Sequence, residues 1–125
     1  VREVKQTKFI CVITSVDSRE KAEEIAQKLL EERLAGCVQI IGPISSKYWW
    51  KGKIEQTLEW LCIIKAGDYN RVERLIKEIH PYEVPEILAV PIIFGNPDYL
   101  RWLGQEIQTK RKTKQRKRRE KQHEN

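Results

Sequence analysis

Four stretches of this 125-residue chain are apolar and rich in β-branched residues at both odd and even positions, and this pattern constrains the fold more than any other feature. They are residues 8–14 (Lys-Phe-Ile-Cys-Val-Ile-Thr), 37–41, 58–66 and 87–94. A strand alternates its side chains between two faces, so a run that is apolar at both parities is a strand meant to be covered on both sides. Between the first two runs, Ala22, Ile25, Ala26, Leu29, Leu30 and Leu34 recur at helical spacing. Between the last two, Val72, Leu75, Ile76 and Ile79 do the same. Each set forms one apolar stripe on a helix.

The punctuation agrees. Asp17 or Ser18 offers an N-cap for the first helix, followed by Glu20, Glu23 and Glu24 where the helix dipole favours negative charge, and the helix is expected to end near Gly36. The second strand is expected to stop at Gly42-Pro43. Residues 37–66 then form a long hairpin turning near Lys51-Gly52, with Leu58, Trp60, Cys62 and Ile64 on one face and Glu59, Leu61, Ile63 and Lys65 on the other. Asp68 opens the second helix. Pro91 marks the last strand as an edge or a bulge, and Asn96-Pro97-Asp98 begins a short third helix. The order is β-α-β-β-α-β plus a terminal helix. This is an α+β, ferredoxin-like antiparallel sheet with both helices on one face. The other face, with residues such as Leu61, Ile63, Leu88 and Val90, would be left in water on a monomer, at about 1.5–3 kcal/mol for each exposed side chain. Subunits are therefore expected to cover one another.

Charge divides the chain in two. Residues 109–125 hold nine Lys/Arg and two Glu, a net of +7, whereas residues 1–108 hold fifteen Lys/Arg and sixteen Asp/Glu, a net of −1. The expected organisation is one folded domain over 1–108 and a basic tail over 109–125, disordered or a frayed helix, that binds nucleic acid only non-specifically through residues 110–121. No apolar run approaches the roughly 18 residues needed to span a bilayer, and no signal-peptide pattern opens the chain, so no membrane partner is expected. The sequence starts at Val1 rather than Met, which is consistent with residues having been removed upstream. Three cysteines (Cys11, Cys37 and Cys62) lie in strand-like runs and fit buried thiols in a reducing compartment, hence the cytoplasm.

The segment His80-Pro81-Tyr82-Glu83-Val84-Pro85-Glu86 concentrates the chemistry. Its two prolines fix φ and push His80 and Val84 towards extended geometry, making a stiff link that aims an imidazole, a phenol and carboxylates. A histidine that ends a helix is the alternative reading. With Leu34-Ala35-Gly36-Cys37-Val38, residues 48–55 (Tyr-Trp-Trp-Lys-Gly-Lys-Ile-Glu), Glu59 with Lys65, and residues 98–103 (Asp-Tyr-Leu-Arg-Trp-Leu), this segment resembles the CutA divalent-cation tolerance family from about Phe9 to Ile107.

The resemblance implies a homotrimer with clefts between subunits, a link to copper and other divalent metals, and a likeness to PII-type signalling proteins. It also implies that Trp50, Lys53, Glu59, Lys65, His80, Tyr82 and Glu83 are the candidate ligand-binding residues. Copper-linked bacterial members carry a cysteine and a second histidine where this chain has Ile13 and Ile79, so the metal site expected here is reduced to low-affinity Cu or another divalent ion at His80 with Glu83. Structural roles compete for the same residues, with Glu59 and Lys65 as cross-strand ion pairs and Trp50 and Tyr82 as trimer anchors. No nucleophile–base–orienter pattern is visible, so no enzyme activity is expected. The alternative function is a metal-independent trimeric scaffold or PII-like sensor for a small metabolite or a protein partner.

Overall fold

The computed structural model describes residues 7–107, and the basic tail with its expected polyanion contacts lies outside them. Seven elements follow in order: β1 (Ile10–Val16), α1 (Arg19–Glu31), β2 (Ala35–Trp50), β3 (Lys53–Ala66), α2 (Tyr69–Ile79), β4 (Ile87–Pro91) and α3 (Pro97–Glu106). The four strands form one sheet in the order β2-β3-β1-β4, with all three neighbouring pairs antiparallel. This is the split βαβ arrangement expected from the pattern.

Ser18, not Asp17, caps α1, accepting the Lys21 N–H at 3.1 Å. Asp68 caps α2 through the Arg71 N–H at 3.3 Å. Both helices press on the same sheet face. Ala22, Ile25, Leu29, Val72, Leu75 and Ile76 pack in one core with Val12, Val16, Cys62 and Ile64. The opposite face carries Ile13, Leu61 and Ile63, half-buried, and Ile41, Leu88 and Val90, each about half exposed.

Three boundaries differ from expectation. The first helix ends at Glu31, and Arg33, not Gly36, takes the left-handed backbone at φ 58°. Gly36 instead lies within β2, where a Cβ would meet Leu103 Cδ1 at 2.6 Å, so α3 requires the bare backbone there. β2 does not stop at Gly42-Pro43. A register shift between Ile41 and Ile44 absorbs those two residues, and pairing continues to Trp50. β4 ends at Pro91 rather than at Phe94, although the chain beyond it stays bonded beside the approach to β1, the Ile92 N–H to the Phe9 carbonyl at 3.0 Å and the Thr7 N–H to the Ile93 carbonyl at 3.3 Å; it is an edge strand, as expected. The hairpin turn is where the sequence placed it. Trp50 pairs with Lys53, and Lys51 and Gly52 both have positive φ (50° and 79°), which is the type I′ geometry of a two-residue loop.

Candidate functional site

Because β2 and β3 are so long, their hairpin projects beyond the end of the helix-covered sheet, beside the proline-rich link that follows α2. Pro81 forces the break. His80 keeps one last helical bond, its N–H to the Ile76 carbonyl at 2.8 Å, but takes ψ 132° and leaves the helix. Its imidazole turns inward and is only 8% exposed. Nε2 lies 2.8 Å from the Ser15 carbonyl oxygen, and Nδ1 lies 3.2 Å from the Tyr82 backbone nitrogen. A carbonyl can only accept and a backbone N–H can only donate, so Nε2 carries the proton and Nδ1 offers its lone pair. The ring edge also supports Tyr82, with centroids 4.7 Å apart and planes at 67°.

Tyr82 is thus held with its hydroxyl donating to Glu59 Oε2 at 2.7 Å. Burial, and then the Glu59 carboxylate itself, push the phenol well above the usual tyrosine range, so it is a permanent donor to this carboxylate. Glu59 is a carboxylate at only 5% exposure. A second polar pair stands beside it, Ser15 Oγ donating to Glu86 Oε2 at 2.8 Å. His80, bonded to the Ser15 backbone, ties the two pairs together. They border an open cleft of about 790 Å³, whose other lining comes from Ser46, Lys47, Tyr48, Trp49 and Trp50 of the hairpin and from Glu83 and Val84 of the link. Three carboxylates (Glu59, Glu83 and Glu86) against one ammonium (Lys47) leave this lining formally at −2.

Of the seven expected ligand-binding residues, the cleft brings together Trp50, Glu59, Tyr82 and Glu83. His80 stands behind it as a support for Tyr82. Lys53 is exposed at the hairpin tip opposite Trp50, outside the lining. Lys65 lies six residues from Glu59 along the same strand, roughly 20 Å away, and its ammonium bonds the Gln39 amide oxygen. Neither residue forms the cross-strand ion pair expected of it among the described residues: Glu59 accepts from Tyr82, and Lys65 donates to Gln39. Sequence reasoning missed Ser15, Lys47 and Glu86. Glu86 stood inside the heptapeptide and could have been found there. Ser15 follows the first apolar run and gives no signal of its own.

Both nitrogens of His80 are engaged within the chain, so a metal ion bound there would have to displace one of those bonds. Among the described residues, no three His, Cys, Asp or Glu side chains come together as a metal-binding group. Cys11 lies on the open sheet face opposite Lys65 and Val90, on the same strand face as Ile13.

Comparison with known proteins gives a consistent result. The family model described as CutA1 divalent ion tolerance protein matches residues 10–106. The divalent-cation tolerance protein CutA of Thermus thermophilus is 43% identical over 94 residues, covering 74% of this chain and 91% of that protein. The mouse protein CutA is 45% identical over 86 residues, covering 67% of this chain but only 49% of its own length, so the match spans about half of that relative. Among solved structures, CutA from Xylella fastidiosa superimposes with a TM-score of 0.79 at 35% identity, covering 82% of this chain and all of the other.

Proposed function

Since the chain belongs to the CutA1 divalent ion tolerance family, we propose that it acts as a homotrimer in the response to divalent metals, copper among them, and takes a cation or small ligand in the cleft bordered by Glu59, Tyr82, Glu83 and Glu86. One observation carries this reading. Glu59 is 5% exposed, yet the hydrogen bond to its carboxylate comes from a neutral phenol, and among the described residues no Lys, Arg or His forms an ion pair with it. A desolvated carboxylate without a counter-charge is costly, and a cation entering the cleft offsets that cost. The assembly half of the proposal is supported by the open sheet face, where Ile41, Leu88 and Val90 stand 49%, 55% and 50% exposed beside Ile13, Leu61 and Ile63. In a trimer, the cleft would lie against a neighbouring subunit.

The test is calorimetric titration of the full chain with Zn(II) and Cu(II), repeated on Glu59→Gln. The substitution keeps the shape and the acceptor for Tyr82 but removes the charge, and affinity is expected to fall roughly tenfold or more. Equal affinities would take the cation away from this cleft. A second reading, the metal-independent small-ligand sensor, is favoured by the breadth and aromatic content of the same cleft.

A further inference from the structure

We propose that the ligand recognised by the cleft is a small aliphatic diamine or triamine, its ammonium groups on the carboxylates and its hydrocarbon on the aromatic wall. This rests on the reading above that the cleft at Glu59 is the binding site, and it names the ligand class.

The cleft's composition separates a bare metal ion from an organic cation. A tightly held metal needs several ligands converging on one point, and among the described residues no three candidate side chains do so. A space of about 790 Å³ is far larger than an ion and lies in the range of small-molecule sites. The carboxylates are spread over two elements, Glu59 on β3 and Glu83 and Glu86 on the link, so they suit charges separated along a chain rather than one centre. Lys47 stands on the opposite hairpin face, paired with Gln56, so Glu59, Glu83 and Glu86 set the charge that one subunit presents to a polyamine.

The wall supplies the second half of the recognition. In the single subunit Trp50 is 38% exposed and borders the cleft from the hairpin face that it shares with Tyr48 and Glu59, while Trp49 projects from the opposite face beside Ile54. An indole face attracts an ammonium through its quadrupole and an alkyl chain through dispersion. The chain already shows the first of these, since the Lys51 ammonium stands 5.7 Å from the Trp50 ring centroid. Glu59 provides the fixed anchor. Its Oε2 is engaged by Tyr82, Tyr82 is locked by His80, and the carboxylate's remaining acceptor capacity is available to a primary ammonium.

The experiment titrates the intact full-length protein with 1,4-diaminobutane, tetramethylammonium and Zn(II), read by calorimetry and tryptophan fluorescence, for the wild type, Glu59→Gln and Glu86→Gln. The proposal expects saturable diamine binding with a tryptophan signal, weakened roughly tenfold or more by Glu59→Gln. Glu86 is exposed, so Glu86→Gln tests the second carboxylate without altering a buried position, and it too should weaken binding. Tetramethylammonium, which has no N–H to give a carboxylate, should bind more weakly than the diamine. Glu59-dependent Zn(II) binding without diamine binding would overturn the ligand class and leave the cleft reading standing. If neither Zn(II) nor diamine responds to Glu59→Gln, both fall. Diamine binding that is indifferent to both glutamates would place it elsewhere and also overturn the proposal.

Discussion

The two faces of the sheet have nearly the same hydrophobicity in sequence and different fates in structure. On the helix face, Val12, Cys62 and Ile64 are fully buried by α1 and α2. On the other face, one residue along each strand, Ile13, Leu61 and Ile63 are only half covered, and Leu88 and Val90 are exposed. The difference shows where the chain's own resources end. Two amphipathic helices cover one side of four strands, whereas α3 reaches only one end of the other side, against Gly36 and Cys37 of β2 and against Phe9, and leaves Ile41, Leu88 and Val90 open. The covered face accounts for the fold of one subunit, and the open face accounts for the proposed assembly. Substitutions on adjacent residues can separate these roles.

The largest effect is expected at Ile63. In a lone subunit, Ile63→Asp would put a charge at a half-buried position that water still reaches, and would cost less than at a sealed one. In the proposed trimer it would place an unpaired carboxylate in an interface, at about 5 kcal/mol per subunit. Sedimentation of the wild type at low micromolar concentration should show a trimer, and the variant should dissociate with loss of stability. A variant that remains trimeric would mean that this face is not where subunits meet, and a stable wild-type monomer would remove the contrast altogether.

Its neighbour Ile64 points the other way, into the core under α1 and α2, at 0% exposure. Ile64→Ala should cost about 2–5 kcal/mol, combining lost transfer energy with the cavity left behind. This loss belongs to the subunit's own core, so variant and wild type should melt with the same dependence on protein concentration. If instead Ile64→Ala makes melting more concentration-dependent than in the wild type, core and interface are coupled and the two-face division is too simple.

This division was largely legible in the sequence, because strand parity and helix periodicity are local properties. The Lys51-Gly52 turn was legible for the same reason: a glycine after two paired strands with a two-residue gap allows few geometries. What escaped notice depends on distant partners. Gly36 resembled a helix stop, but it is needed by Leu103, 67 positions away. Gly42-Pro43 resembled a strand stop, but a register shift against β3 carries pairing past it. The candidate site divides in the same way. Tyr82, Glu83 and Trp50 lie in segments whose composition singles them out. Ser15 acquires its role only through Glu86, and the carbonyl at Ser15 is what commits the imidazole of His80. An imidazole beside a proline gives no hint in sequence that both of its nitrogens are engaged.

The smallest expected effect comes from Cys62, which lies on the covered face between the two residues Leu61 and Ile63 of the open one. Burial first, and the nearby Glu23 carboxylate second, push its thiol from an ordinary 9.0 up to about 11. The folded state therefore holds this proton more tightly than the unfolded chain does. The resulting stabilisation is complete below about pH 9 and is lost as pH rises towards about 11, where the folded thiol also ionises. A thiolate there would face the Ala22 carbonyl, 3.9 Å from Sγ, with no cation to receive it among the described residues. Cys62→Ala removes this titration and adds a small, pH-independent packing loss. Denaturant unfolding of both proteins from about pH 8 to about pH 11 should show the stability gap between them narrowing as the wild type loses its thiol contribution. A gap of constant size would mean that solvent or a counter-charge reaches Cys62, and that the helix-covered face is less sealed than its packing indicates.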